Sequence, residues 1–259
     1  HMSANIIAVA NQKGGVGKTT TTVNLAASLA ARNKRVLVID LDPQGNATTG
    51  SGIDKASIGC GVYQVVLGEA EIKDAVIRSD SGRFDVLAAN RALAGAEVEL
   101  VQEIAREVRL KNALKAVESN YDFILIDCPP SLTLLTLNGL VAANGVVVPM
   151  LCEYYALEGI SDLIATVRKI RQAINPNLEV LGIVRTMYDA RSRLVAEVSD
   201  QLQQHFGGLL FDTTIPRNIR LAEAPSHGMP ALAYDASAKG ARAYLELADE
   251  LLGRLNRPA

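Results

Sequence analysis

The sequence of 259 residues has few aromatic side chains and no tryptophan; Phe and Tyr together make up 4% of it. A core must therefore be aliphatic, and hydrophobic residues, at 49% of the chain, are numerous enough to build a sizeable one. The three cysteines, Cys60, Cys128 and Cys152, lie far apart and form no C-x-x-C pair. Their spacing excludes a cysteine-based zinc site and a disulfide framework, and it indicates a reducing, cytoplasmic compartment.

The chain also lacks a long apolar run and an excess of either charge. No segment approaches the roughly 18–20 apolar residues that cross a bilayer, and the apolar stretch 6–10 is too short for a signal peptide. We therefore predict no membrane association. With 26 basic and 28 acidic residues, the net charge is −2, without the basic excess usual in a constitutive nucleic-acid binder. Any DNA binding would have to come from a local patch or from assembly.

Apolar runs typical of strands alternate with helical periodicity almost from end to end. His1 and Met2 have the character of a cloning remnant, and we expect one domain over residues 3–259. The alternation predicts right-handed crossovers and a single three-layer α/β/α domain with a mostly parallel, twisted sheet. Strands are predicted near residues 6–10, 35–40, 84–88, 121–127, 145–149, 179–185 and 212–215. Helices are predicted near residues 18–31, 96–106, 110–119, 156–173, 191–206 and 238–255.

A phosphate-binding motif lies between the first strand and the first helix. Segment 13–20 reads Lys-Gly-Gly-Val-Gly-Lys-Thr-Thr, and its end matches G-x-x-x-x-G-K-[ST] in the required strand-to-helix context. Glycines let backbone N–H groups surround phosphate oxygens, and the helix N-terminus adds its positive dipole. We predict a fold of the P-loop NTPase type and hydrolysis of ATP with Mg²⁺. The alternative is a plain glycine-rich turn. The predicted phosphate contacts are Lys13, Gly14, Gly15, Val16, Gly17, Lys18, Thr19 and Thr20.

The roles within this motif follow from charge and from metal chemistry. Lys18 would neutralise the β- and γ-phosphates, and the Thr19 hydroxyl would bind Mg²⁺. Asp127, which ends an apolar strand, is typical of a Walker B carboxylate that holds the metal directly or through water. Asp40 and Asp42 follow another buried strand, and alternation places them on the same side, facing the same crevice. Three strand ends are thus predicted to converge on one nucleotide.

One departure from the strict motif carries a family resemblance. Gln12 stands where the first glycine is expected, and an extra lysine, Lys13, precedes the two glycines. In these two features the chain resembles the deviant Walker A ATPases, the family of ParA, MinD and the nitrogenase iron protein. The resemblance implies that Lys13 reaches across an ATP-dependent homodimer to the partner's phosphates. It also implies that Asp42 orients the attacking water and that Asp40 lies near the metal shell.

The predicted site is therefore divided by role. Catalysis is assigned to Lys13, Lys18 and Asp42, and magnesium binding to Thr19, Asp40 and Asp127. The cofactors are ATP or ADP and Mg²⁺.

The C-terminal third resembles the chromosomal ParA proteins, also called Soj, in segments 186–191 and 215–228. This resemblance implies that adenine is bordered by Met187, Pro216, Arg217 and Asn218. It also implies that double-stranded DNA is bound without sequence preference by Arg191 and Arg220, with Arg193 adding to the patch; a solvated surface is the alternative. A ParB/Spo0J-like partner would stimulate hydrolysis, and we expect its contact surface at the helices around 96–118.

We therefore expect an ATPase for chromosome or plasmid partitioning with slow basal turnover, cytoplasmic and associated with the nucleoid. Because the chain begins at its first strand, we expect no separate DNA-reading domain before it. The leucines of the last helix alternate with acids, which indicates packing on the core rather than membrane targeting. The alternatives are a related ATPase that positions a cargo other than DNA, and a metabolic phosphotransferase that needs no protein partner.

Overall fold

The structure, a computed structural model, describes residues 4–257. His1, Met2, residue 3 and residues 258 and 259, which the predicted remnant and domain limits include, lie outside the described part. Within residues 4–257, seven strands form one sheet in the order β3-β4-β2-β5-β1-β6-β7. Only the β3–β4 pair is antiparallel among these neighbours. The strands are β1 (Asn5–Val9), β2 (Val36–Asp40), β3 (Ile77–Ser79), β4 (Phe84–Leu87), β5 (Phe123–Asp127), β6 (Gly145–Leu151) and β7 (Glu179–Thr186).

Helices cover both faces of this sheet. In the described part of the chain, short 3₁₀ turns lie at Lys55–Ser57, Glu118–Asn120 and Ala224–His227. The α-helices are α1 (Lys18–Ala31), α2 (Asn46–Gly50), α3 (Val62–Val66), α4 (Ile72–Ala75), α5 (Leu93–Leu100), α6 (Arg109–Leu114), α7 (Leu134–Ala142), α8 (Ala156–Ala173), α9 (Arg193–Phe206), α10 (Ile219–Glu223), α11 (Ala231–Tyr234) and α12 (Lys239–Leu255).

The core consists of two hydrophobic clusters, one on each face of the sheet. Successive side chains of a strand point to opposite faces, so Ile7 belongs to the cluster with α1 and α12, and Ala8 to the cluster with α7 and α8. All five residues of β2 and of β5 are buried, as expected of central parallel strands. The predicted α/β/α layers with a mostly parallel sheet are confirmed. No helix within residues 4–257 is long and apolar enough to cross a membrane.

The predicted strand at 212–215 is wrong. The backbone N–H groups of Asp212 and Thr213 donate to the Glu250 carboxylate at 2.8 and 2.9 Å, so they are turned away from β7. On either side, Phe211 and Ile215 do donate to carbonyls of β7. An acidic side chain of α12 therefore replaces the ladder in the middle of this segment, which passes β7 as an irregular chain.

Other differences are short elements and element ends. The three-residue strand β3 and the helices α2, α3, α4, α10 and α11 were not predicted, because each is too short to show a hydrophobic period. The helix predicted over 96–106 begins earlier and ends at Leu100, and the one predicted over 110–119 ends at Leu114. Ala105 has a left-handed backbone with φ 55°, which separates these two helices.

Sheet register brings the predicted site together at the carboxyl edge. β5 lies between β1 and β2, with Val9 and Asp40 each aligned with Asp127. The loop that begins the phosphate motif follows β1 directly, so it passes over the ends of these three strands. Asp127 and Phe123 are four residues apart in β5, so their side chains point to the same face of the sheet, the face covered by α1.

Candidate nucleotide site

The loop between β1 and α1 turns through two left-handed glycines. Gly15 has φ 74° and Gly17 has φ 85°, a region that residues with a Cβ atom rarely adopt. Gly17 is also the N-cap of α1, and its carbonyl accepts the first helical bond from the Thr21 amide. The loop N–H groups therefore precede a helix N-terminus, an arrangement suited to anionic oxygens.

The far side of this loop is fixed to the end of β7. Thr186 Oγ1 lies 2.8 Å from the Val16 carbonyl oxygen and 3.2 Å from that of Met150. Thr186 and Val16 are both buried. Thr186 is not among the predicted site residues, because no local pattern shows that its hydroxyl meets a carbonyl 170 positions earlier.

The two lysines of the motif have different environments. Lys18 is buried, with 8% of its surface exposed, and its Nζ donates to the Lys13 carbonyl at 3.0 Å. Burial lowers the pKa of Lys18, and the negative charges of Asp127 and Asp42 act in the opposite direction. The Lys13 side chain is 59% exposed and forms an ion pair with Glu153. One cation thus lies inside the loop and the other at its rim.

Asp127 and Thr19 form the buried centre of the site. Thr19 Oγ1 donates to Asp127 Oδ2 at 2.8 Å, and Thr22 Oγ1 lies 3.4 Å from Oδ1. Burial raises the pKa of Asp127 well above its usual range, the charge of Asp40 raises it further, and the bond from Thr19 opposes this rise. A nearby cation would favour the ionised carboxylate.

Asp40 is occupied by its own chain. Its Oδ2 accepts bonds from the amide and the hydroxyl of Thr48, both at 2.8 Å, and its Oδ1 accepts the Asp42 amide at 3.1 Å. Burial raises the pKa of Asp40 to about 6, partly offset by the bonds from Thr48. Asp42 is half-buried and caps the following turn by accepting the Gln44 amide at 3.0 Å. Asp40 thus fixes the loop that carries Asp42; its predicted metal role stays a prediction.

The donor set fits magnesium. No group of three or more His, Cys, Asp or Glu side chains that could hold a metal is found among residues 4–257. The Thr19 hydroxyl and the Asp127 carboxylate together offer the partial oxygen shell that Mg²⁺ takes when nucleotide phosphates and water complete it. These two residues would hold the ion.

A cavity of about 390 Å³ adjoins the loop, reaching from Gly17 and Thr20 to Tyr244 of α12. The four residues predicted to border adenine all line it: Met187, Pro216, Arg217 and Asn218. Asn218 also caps α10, because its Oδ1 accepts the Leu221 amide at 3.2 Å. The structure therefore brings the predicted base contacts next to the phosphate loop, and their assignment to adenine stays a prediction.

The three arginines predicted to contact DNA lie outside this cavity. Arg191 is 92% exposed at its side chain and pairs with Asp189 at 3.1 Å. Arg193 is the exposed first residue of α9 and takes part in none of the ion pairs found among residues 4–257. These two residues therefore present positive charge at the start of one helix.

Arg220 is held by two acids. Its guanidinium lies 3.1 Å from Glu223 and 3.3 Å from Asp235, and Tyr234 also donates to Glu223 at 2.6 Å. From the sequence we expected Arg220 to be available for a contact with DNA. Asp235 is distant from it in sequence and comes close only in the folded chain. A contact with phosphate at Arg220 would have to compete with these two carboxylates.

The sequence is similar to known proteins over nearly its whole length. The family model described as an AAA domain matches residues 4–180. The chain is 53% identical over 246 residues to the sporulation initiation inhibitor protein Soj of Bacillus subtilis, covering 95% of this chain and 97% of that protein. It is 48% identical over 258 residues to the chromosome partitioning protein ParA of Caulobacter vibrioides, covering 98% and 97%.

A solved structure matches over the same length. The crystal structure of cobyrinic acid a,c-diamide synthase from Mycobacterium smegmatis, with a bound ATP analogue and magnesium, superposes with a TM-score of 0.85 at 39% identity. The match covers 97% of this chain and 96% of that one. A nucleotide and magnesium are thus held by a protein of the same fold and of substantial sequence identity.

Proposed function

This chain belongs to the ParA/Soj family of P-loop ATPases, and we propose that it is an ATP-driven switch for partitioning a chromosome or plasmid. ATP closes two copies into a sandwich dimer, and the dimer binds nucleoid DNA without sequence preference. Hydrolysis, slow in the isolated protein, releases it. A ParB-like partner stimulates that hydrolysis. The protein accordingly associates with the nucleoid in its ATP form.

The placement of Lys13 carries this proposal. Its side chain is 59% exposed at the rim of the phosphate loop, whereas Lys18 is 8% exposed inside it. A second exposed cation beside the loop is suited to meet the phosphates of another copy, where it would stabilise charge that develops during transfer. ATP then becomes part of the interface between subunits.

The remaining residues supply binding and orientation. Loop N–H groups and Lys18 would hold the phosphates, while Thr19 and Asp127 would hold magnesium, which would neutralise phosphate charge. Asp42 is fixed by its turn and by Asp40, so its carboxylate is positioned to orient a water molecule. Positioning and electrostatics, rather than covalent chemistry by the protein, are what phosphoryl transfer needs.

DNA binding is supported by the exposed charges at the start of α9. Arg191 and Arg193 would contact backbone phosphates, and Arg220 would join them after leaving its acids. A dimer doubles these contacts, from three arginines to six. With six phosphate contacts, the logarithm of the affinity would fall with the logarithm of salt concentration at a slope of roughly −5.

A partner surface is supported near the predicted region 96–118. Val98 in α5, and Val101 and Ile104 in the segment after it, are 74%, 49% and 88% exposed, and we call these three side chains the apolar group. Exposed apolar patches of this kind mark interaction sites more often than single exposed residues do. The ParB-like protein would contact this group.

The test compares substitutions of the two lysines. Lys13→Ala should keep MgATP binding but lose ATP-dependent dimerisation and at least about 100-fold in hydrolysis rate, whereas Lys18→Ala should lose nucleotide binding itself. Lys169→Ala, which removes an exposed lysine of α8, is the matched control. Dimerisation would be measured by mass photometry in ATP and in ADP. Normal dimerisation of Lys13→Ala would contradict the proposal.

A second candidate is an ATP-dependent metabolic enzyme, favoured by the 39% identity to the amide synthase structure. Such an enzyme would consume ATP in proportion to a small acid and would gain no affinity for DNA in ATP. ATP turnover with and without cobyrinic acid plus an ammonia source distinguishes the two. A positioning ATPase for another cargo would use the same switch, and linkage of its gene to a ParB gene separates partitioning from the positioning of other cargo.

A further inference from the structure

The turn after β2 carries Asp42, the residue proposed to orient the attacking water, and this turn is held at both of its ends. At the start, the Asp42 amide donates to Asp40 Oδ1 at 3.1 Å. At the far end, the Thr48 hydroxyl donates to Asp40 Oδ2 at 2.8 Å and accepts the Ala89 amide at 3.0 Å. Residues 43–45, between these two points, depend on other contacts for their position.

Gln44 sets the direction of the Asp42 carboxylate. Its amide donates to Asp42 Oδ1 at 3.0 Å, and the next amide, that of Gly45, donates to the Asp42 carbonyl at 2.9 Å. Burial lowers the pKa of Lys18, and the charge of Asp42 is among those that oppose this effect, so the carboxylate lies near the phosphate lysine. A displacement of Gln44 would therefore turn the carboxylate relative to the phosphate site.

Lys55 holds Gln44 from outside the turn. Its Nζ donates to the Gln44 carbonyl at 2.7 Å, across 11 positions of sequence. Lys55 takes part in none of the ion pairs found in the described part of the chain, so its ammonium group is not drawn away by a carboxylate there. Hydrogen bonds from a charged donor are shorter and roughly twice as strong as neutral ones. The lysine therefore restrains the residue that orients Asp42.

The base of the Lys55 side chain is also fixed. Lys55 begins the 3₁₀ turn at residues 55–57, and Asp54 caps this turn by accepting the Ala56 amide on Oδ1 at 3.0 Å. The Ser57 hydroxyl donates to the Asp54 carbonyl at 2.7 Å. Both ends of the lysine side chain are thus held, which lets it define the position of the Gln44 carbonyl.

Gly45 leaves room for this lysine. The backbone of Gly45 is left-handed, with φ 69°, and a Cβ atom at this position would lie 2.9 Å from Lys55 Cδ and 3.9 Å from the Ala89 side chain. A larger residue would therefore be strained by its backbone and would also displace the lysine. The aliphatic part of Lys55 packs directly on the backbone of the turn, beside the carbonyl that its ammonium group binds.

We propose that Lys55 is a positioning residue for hydrolysis, which holds the Gln44 carbonyl and thereby keeps the Asp42 carboxylate directed at the phosphate site. The inference rests on the proposed function, in which Asp42 orients the attacking water. Phosphoryl transfer depends on the placement of the nucleophile, and a small displacement of the group that orients it slows the reaction. Because Lys55 acts on the turn of Asp42 and not on the phosphate loop, its loss lowers the turnover rate and leaves nucleotide affinity unchanged.

The experiment compares Lys55→Met, which keeps the aliphatic stem and loses the ammonium group, with Lys55→Arg, which keeps a cationic donor. Lys73→Met is the matched control, because it removes an exposed lysine of α4 that pairs with Glu71. The readouts are kcat and KM for phosphate release from ATP, the affinity for a non-hydrolysable ATP analogue, and Tm. Hydrolysis is also measured in Asp42→Asn with and without Lys55→Met, because this double-mutant cycle shows whether Lys55 acts through Asp42.

In Lys55→Met, we expect kcat to fall about tenfold, within the 100-fold that a misplacement of about 1 Å can cost. KM and analogue affinity should stay at wild-type values, and Tm should change little, because substitutions of exposed side chains have small effects on stability. Lys55→Arg should recover most of the lost kcat, and Lys73→Met should equal wild type. Asp42→Asn should lower kcat strongly, and the addition of Lys55→Met to it should cause no further fall.

A wild-type kcat in Lys55→Met, beside a strong loss in Asp42→Asn, would overturn the inference and leave the proposed role of Asp42 intact. A loss of analogue affinity or of several degrees in Tm together with kcat would overturn it too, because Lys55 would then support binding or the fold. So would a further tenfold fall in the double variant, since the two residues would act independently. Wild-type hydrolysis in Asp42→Asn would instead refute the proposed role of Asp42, and the inference would fail with it.

Discussion

Replacement of Thr186 by valine tests how the end of β7 supports the phosphate loop. Valine keeps the shape of threonine but removes the hydroxyl that lies 2.8 Å from the buried Val16 carbonyl. A buried acceptor without a partner costs about 1–3 kcal/mol. An unfolding entropy of about 2.1 cal/mol/K per residue gives about 0.5 kcal/mol/K for a chain of this length, so Tm should fall by roughly 2–6 °C.

The same substitution should weaken nucleotide binding. If the loop loses its position to the same extent, ATP affinity should fall by about 5- to 150-fold, the equivalent of 1–3 kcal/mol. Thr186→Ser keeps the hydroxyl and is the matched control, since it removes only a methyl group near Gly17. Thermal unfolding and titration with a fluorescent ATP analogue give the two values. A Tm within about 1 °C of wild type, or equal damage from serine, would refute the role of this bond.

Three further predictions concern the metal, pH and DNA. Asp127→Asn should abolish magnesium-dependent hydrolysis, measured as phosphate release, while ATP binding in EDTA persists; magnesium-dependent turnover in this variant would contradict the metal site. Burial would raise the pKa of Glu250, but the bonds from the backbone amides of Thr213 and Asp212, together with the Thr213 side chain and the charge of Arg254, outweigh burial and leave the pKa lowered. Glu250 therefore stabilises the fold above its unfolded pKa and loses this contribution as pH falls through its lower folded value. Glu250→Gln should thus lower Tm at pH 7 by a few degrees and much less below pH 4; a pH-independent loss would refute this linkage. Glu223→Gln should strengthen DNA binding a few-fold by freeing Arg220, measured by fluorescence anisotropy, and no gain or a loss would contradict competition by that acid.

Much of the fold was predictable because its strands and long helices are repetitive. The run 121–127 and the periodic segment 156–173 have one dominant pattern each, and β5 and α8 match them. The segment 212–215 reads Asp-Thr-Thr-Ile and has no such dominant pattern, and the amides of Asp212 and Thr213 bond to Glu250. The conformation of this segment is determined by a contact with a helix 37 or more positions away, which the local sequence pattern does not show.

The site shows the same division. The phosphate loop and the terminal acids were found because their chemistry requires fixed spacing next to a strand and a helix. Three details were not visible: Thr48 occupying Asp40, Glu153 pairing with Lys13, and the acids that hold Arg220. In each case the residues meet only in the folded chain, or they lie on an element that is too short to show a hydrophobic period. The roles of motif residues are therefore predictable, whereas the partners that tune them are set by the fold.

Co-sedimentation with random-sequence duplex DNA tests the central claim most directly. The measurement compares ATP with ADP at two salt concentrations, using the whole chain. We predict binding in ATP alone that falls steeply as salt rises. Equal binding in both nucleotides, or none in either, would contradict the DNA-coupled switch, while the ATPase assignment would remain.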